Sequence, residues 1–343
     1  MESHPINPDI RRDEKGVART GDSEQAGVEE RRLRDALEDD DVLEALARLH
    51  HEPTVRQQHA EDNAMIKDIL VHIPTERPAR PVIDGSISLA LAYGAHLDAL
   101  AVGYVSMRNA FAIDGAAAIA AEAIEEERLE GLLRARTAAD VFELAARNAG
   151  ISHSWRSAAA FPAEAAASIG AAARLYDLAV VLQPDAEHPS FDNAVPQEVL
   201  LQSGRPVLFI PYIFHGNFES RRIGICWDGS RLAARAVHDA MPFLKKADTL
   251  VIITIREAGK DDAEASAEKL TQHLARVNLQ TSIRSLDASH SEIQPLISSL
   301  ASDEGLDLLV MGGYGHARLQ EALLGGVTRA ALRSMTVPTL MSH

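Results

Sequence analysis

Residues Arg222–Ser230 read RIGICWDGS, a short apolar run that stops at Asp228-Gly229-Ser230. A run of this length closed by turn residues reads as a buried parallel strand, and Asp-Gly-Ser after it reads as a turn and helix N-cap. The same texture begins at Met65 with MIKDILVHI, where a charged segment gives way abruptly to β-branched apolar residues. Two strand starts of one kind suggest that the chain repeats itself.

Outward from these starts the repeat extends along both halves. KDILVHI matches RRIGICW, YDLAVVLQ from Tyr176 matches LDLLVMGG from Leu306, and RPVLFIP from Arg205 matches VPTLMSH from Val337. A second strand follows a helical pattern in each half, LDALAVGYV from Leu97 and DTLVIITI from Asp248. Alternating strands and helices imply a parallel sheet covered on both faces, with right-handed crossovers. Pro206 and Pro338 in the last strands suggest edge positions, where a missing N–H costs least. The helical region Ala116–Ala149 is unusually long, with Glu125–Arg128 as a solvated face. Ser289 and Glu292 have capping-box spacing ahead of Ile293, Leu296, Ile297 and Leu300. Pro211–Ser220 is punctuated by Pro and Gly and reads as a linker. The expected organisation is an extension at 1–64, one domain at 65–212, a linker at 213–221 and a second domain at 222–343.

Composition sets limits on function. With 343 residues, 46% of them hydrophobic, the chain can bury a large core and is long for one domain. A formal charge of −16 argues against nucleic acid, because phosphate-backbone affinity needs clustered Lys and Arg. The single cysteine, Cys226, provides no disulfide framework and sits in an apolar strand as a core residue. The N-terminus lacks the apolar core of a secretory signal, and Ala110–Ile124 is interrupted by Asp114 and Glu122, so no membrane span is expected. These features point to a cytoplasmic protein. Residues 1–64 carry the acidic run Glu38–Asp41 and read as a flexible tail with one short amphipathic helix around Val42, Leu43, Leu46 and Leu49. His50, His51 and His59 in that tail lack the partners of a metal site.

The glycines lie in MGGYGHARLQEALLGGVTR, residues 311–329, directly beyond a strand end. In open parallel sheets ligands bind outside the carboxyl ends of the strands, near the reversal of strand order. Gly312, Gly313 and Gly315 can adopt φ > 0 and let backbone N–H groups approach a ligand without Cβ interference, while Gly325, Gly326, Val327 and Thr328 open a helix whose N-terminus favours phosphate. The stretch lacks the Lys of a Walker loop and the third glycine of a dinucleotide fingerprint.

Gly312-x2-Gly315-x9-Gly325, followed by Gly326-Val327-Thr328, resembles the nucleotide-binding signature of the universal stress protein family, G-x2-G-x9-G-[ST]. The resemblance covers Met65–His343 as two tandem Rossmann-like domains, an α/β fold in which each five-stranded parallel sheet has the order 3-2-1-4-5 with helices on both faces. It implies that ATP or another adenine nucleotide, with or without Mg²⁺, is held in the second domain. Asp228, with Gly229 and Ser230 after it, would meet the nucleoside. Ile255, Met311 and Gly312 would lie near adenine, and Gly315, Gly325, Gly326, Val327 and Thr328 near phosphate. His316 and Arg318 lie beside the loop, within reach of phosphate or simply exposed. Gly326 replaces the signature's Ser or Thr, so one hydroxyl contact is lost, worth about 0.5–1.5 kcal/mol.

The first domain departs from the signature. Its first strand ends in HIPTERP without an adjacent Asp, and Gln183-Pro184-Asp185 stands where the glycine loop belongs. It reads as a packing domain that pairs with the second in the way family monomers pair. Trp227 is expected to line either the pocket or the interface between domains. A nucleotide-dependent regulator in the stress response leads the functional readings, as a homodimer by resemblance, with no membrane or nucleic-acid partner. A nucleotide-free dimeric scaffold and a slow ATPase are the alternatives. Hydrolysis needs a placed base and a metal-held phosphate, and no catalytic residue is assigned.

Overall fold

The computed structural model describes residues 66–106, 117–256, 265–287, 292–313 and 334–343. Among the described residues ten strands and eight α-helices follow one another. The first half runs β1 (Asp68–Ile73), α1 (Arg80–Tyr93), β2 (His96–Tyr104), α2 (Ala117–Ala149), β3 (His153–Ala160), α3 (Pro162–Ala173), β4 (Leu178–Leu182), α4 (Val195–Gln202) and β5 (Val207–Ile210). The second half runs β6 (Arg222–Cys226), α5 (Arg231–Asp239), α6 (Met241–Leu244), β7 (Thr249–Arg256), α7 (Ala267–Ala275), β8 (Thr281–Asp287), α8 (Ile293–Asp303), β9 (Leu308–Gly312) and β10 (Thr339–Ser342).

The strands form one ten-stranded sheet in the order β3-β2-β1-β4-β5-β10-β9-β6-β7-β8. Each half has the expected 3-2-1-4-5 order and is parallel within itself. The halves join through an antiparallel pairing of β5 with β10, with Leu340 opposite Leu208. Alternation along the strands feeds two layers: Ile69 and Val71 face α1 and α2, while Leu70 faces α3 and α4. In the second half Ile252 meets α7, whereas Val251 and Ile253 meet α8. The central strands are buried on both faces, which is why they read as unbroken apolar runs.

The expectation that Pro206 and Pro338 mark sheet edges is overturned. Each immediately precedes its strand, and β5 and β10 are the two middle strands of the sheet. The lost N–H lies outside the β5–β10 ladder, while the carbonyls of Pro206 and Pro338 accept from Ala179 N and Leu309 N at 3.1 and 2.9 Å. A first-residue Pro is compatible with a central strand. The true edges are β3 and β8, whose residues are half-buried or exposed.

The segment joining the halves is anchored in the core at Phe218. Phe218 is buried, its N–H donates to Ser88 Oγ at 2.7 Å, and its ring meets Phe243 edge-on at 6.0 Å. Phe243 in turn meets Tyr93 of α1 at 5.4 Å, so one aromatic cluster ties the two halves together. Helix α8 starts at Ile293 with Glu292 as its N-cap residue, without a side-chain capping bond. Ser289 lies outside the described residues, as do the 1–64 extension and its histidines.

Candidate functional site

The second half places three expected contact points side by side. β6 lies between β7 and β9, with Cys226 opposite Ile253 and Ile225 opposite Val310. Asp228 just beyond β6, Ile255 near the end of β7, and Met311 and Gly312 at the end of β9 therefore share the carboxyl edge of adjacent strands. The crossovers leave in opposite directions on either side of β6, which is where a crevice opens in such sheets.

The turn after β6 is fixed locally. Trp227 N continues the ladder to Ile253 O at 2.8 Å, and Asp228 Oδ1 accepts from Ser230 N at 2.9 Å. Gly229 has φ +74°, a conformation a side chain would strain, and a Cβ there would also lie 3.1 Å from Ala265 Cβ. Ser230 then caps α5, its hydroxyl accepting from Ala233 N at 3.2 Å. Asp228 is exposed, so its carboxylate faces solvent at the mouth of the crevice. Trp227 turns to its own half, donating from Nε1 to Ala265 O at 2.8 Å. Cys226 contributes no thiolate: burial, followed by the charge of Asp228, pushes its thiol up to about 12.

Gly312 and Gly313 serve packing. A Cβ on Gly312 would sit 2.7 Å from both Ala233 N and the Leu232 carbonyl carbon, so its absence lets the first turn of α5 close on β9. Gly313 N donates to Ser342 O at 2.9 Å, its carbonyl accepts from His343 Nδ1 at 3.0 Å, and a Cβ would meet Leu200 of the first half at 2.9 Å. Neither Gly312 nor Gly313 uses the positive φ open to glycine. Gly315, His316, Arg318, Gly325, Gly326, Val327 and Thr328 lie outside the described residues.

In the first half the equivalent crevice is closed from within. The chain after β4 folds back so that Asp192 accepts from Thr75 N and Glu76 N, while Arg77 donates to Gln183 O at 2.6 Å and Asn193 Oδ1 at 3.1 Å. Glu76 Oε2 accepts from Ser190 Oγ and Phe191 N at 3.0 and 2.8 Å. Sequence reasoning missed Asp192, Tyr104 and His72, which periodicity marks only as strand and loop positions. Among the described residues no group of three metal-ligating side chains is placed to hold an ion, and no helix is long and apolar enough to cross a membrane.

The comparisons bear on this fold. The model of the universal stress protein family matches residues 219–343. A universal stress protein of Methanocaldococcus jannaschii is 30% identical over 82 residues, covering 24% of this chain and 48% of the relative. The chain thus spans about half the length of that curated relative. The crystal structure of a universal stress protein from Archaeoglobus fulgidus is similar over 80% of this chain and 97% of that one, at 18% identity and a TM-score of 0.58. Residues 219–343 are thus similar to the universal stress protein family, and the fold across both halves is that of the Archaeoglobus fulgidus structure.

Proposed function

We propose that the second half binds an adenine nucleotide, ATP or a close relative with Mg²⁺, and that occupancy regulates the protein's partners in a cytoplasmic stress response. The observation that carries this reading is the convergence of Asp228, Ile255 and Met311–Gly312 at the carboxyl ends of three adjacent strands. Asp228 fits a nucleoside contact because it is exposed and its Oδ1 is already oriented by Ser230 N. The start of α5 beside Gly312 adds a helix N-terminus to the wall. Gly315, Gly325, Gly326, Val327 and Thr328 supply the phosphate contacts in this reading, with His316 and Arg318 beside them. The glycine spacing supports it, and Gly326 in place of a hydroxyl residue weakens one contact. In the assembled protein two such chains form a homodimer.

A second reading, a nucleotide-free scaffold, draws on the packing roles of Gly312 and Gly313, which account for two of the glycines without any ligand. Titration of MgATP into the full chain separates the two. Saturable binding that Gly325→Val removes supports the nucleotide site, since a branched Cβ would occupy phosphate space. Absence of heat and of any shift in melting temperature supports the scaffold.

A further inference from the structure

We infer that the first half retains an oxyanion cradle at the carboxyl end of β1 and that Asp192 is its built-in occupant, holding the place of a small carboxylate or phosphate. The cradle is made of donors that recognise any such group. Two successive backbone N–H groups, of Thr75 and Glu76, converge on Asp192 Oδ2 at 3.2 and 2.9 Å, a concave arrangement suited to anions. The Tyr104 hydroxyl donates to Oδ1 at 2.8 Å. His72 Nε2, buried and without a hydrogen-bond partner, points at the same oxygen from 3.7 Å.

Register places the cradle at the same point in the fold as the turn after β6. Ile69 and Ile223 occupy equivalent positions, each opposite the first residue of the fourth strand in its half, Leu178 and Leu308. Thr75 and Glu76 are thereby equivalent to Gly229 and Ser230. The Ser230 N–H meets a carboxylate three-dimensionally local to it, that of Asp228, whereas the Glu76 N–H meets one delivered from 116 residues away in sequence. Asp192 itself is almost fully buried, and its loop is latched: Asn193 Nδ2 donates to Asp185 O and His188 O at 2.8 and 3.0 Å. Its negative charge rests on N–H dipoles and two hydroxyls, those of Tyr104 and, at 3.5 Å, Ser190, with Arg77 nearby but bonded elsewhere. Such donors keep their affinity for an anion when the internal one is removed.

The test uses the full chain with Asp192→Ala and sodium formate as the probe, against sodium chloride at equal ionic strength. The variant melts below the wild type, and formate restores at least about 2 °C that chloride does not, while the wild type shows no difference between the salts. Adding Tyr104→Phe to the variant diminishes that formate-specific gain. An equal response in wild type and variant, no formate-specific gain, or a gain indifferent to Tyr104→Phe overturns the inference. If Asp192→Ala does not fold, Asp192→Ser takes the same titration, and failure of both variants to fold with formate present also overturns it.

Discussion

The ends of β1 and β6 are the same place in two copies of one fold, and they have been finished in opposite ways. After β6 the chain turns sharply through Asp228-Gly229-Ser230 and enters α5 at Arg231; after β1 it passes through Pro74–Ala79 before α1 starts at Arg80, three residues later in register. The early start of α5 presses Leu232–Ala233 against Gly312, where the first half has Leu182. The later start of α1 leaves room that Asp192 and Arg77 fill with a buried polar network. One copy keeps a solvent-facing carboxylate at the crevice mouth, and the other has turned a carboxylate inward and sealed it. A repeated fold therefore does not imply a repeated site.

The sharpest way to break this contrast is Asp192→Ala. It leaves the buried Tyr104 hydroxyl and two part-buried backbone N–H groups without their acceptor; a buried group left unsatisfied costs about 1–3 kcal/mol, so a loss of about 2–3 kcal/mol is expected in denaturant unfolding. Gly312→Ala comes next, at about 1–3 kcal/mol, because the new Cβ meets the backbone of α5 rather than a flexible side chain. Asp228→Asn keeps the acceptor for Ser230 N but removes the charge. It is expected to weaken MgATP binding about tenfold in titration with the melting temperature unchanged.

Acid sharpens the comparison from the other side. Burial outweighs the attraction of Asp192 and lowers the His72 pKa below its usual value of 6.5. His72 therefore stays neutral in the fold while the unfolded chain takes up a proton. Its contribution is fully present above pH 6.5 and is lost as pH falls below that value, by at most about 1.4 kcal/mol per pH unit. The groups facing it, Asp192 on the loop before α4 and Tyr104 on β2, stay in place in His72→Gln. That variant should show a flatter melting temperature between pH 6.5 and 5 than the wild type. Burial followed by the Asp192 charge pushes the Tyr104 phenol far up, so it remains a donor throughout. The smallest effect is expected for Pro338→Ala, under about 1 kcal/mol, since its missing N–H lies outside the β5–β10 ladder.

What could be read from the sequence followed the physics of burial. The runs at Ile69–Ile73 and Ile223–Cys226 announced buried strands because both faces of those strands are covered, and their repetition carried the two 3-2-1-4-5 halves. The β5–β10 seam was illegible, because a pairing between Leu208 and Leu340 leaves no periodic trace in either strand. Asp228-Gly229-Ser230 was legible as a turn and cap because its bonds are local. Asp192 was not, since its partners Thr75, Glu76 and Tyr104 lie 88 to 117 residues away. The spacing marked Gly312 as a glycine position, but that its missing Cβ makes room for the backbone of Leu232 and Ala233 is a contact that only the folded chain reveals.

The most direct test of the asymmetry is the stoichiometry of MgATP binding to the full chain, measured by calorimetric titration alongside Asp228→Asn. One site per chain, weakened by that substitution, is the predicted result. Two sites per chain, or none at saturating nucleotide, would contradict the account.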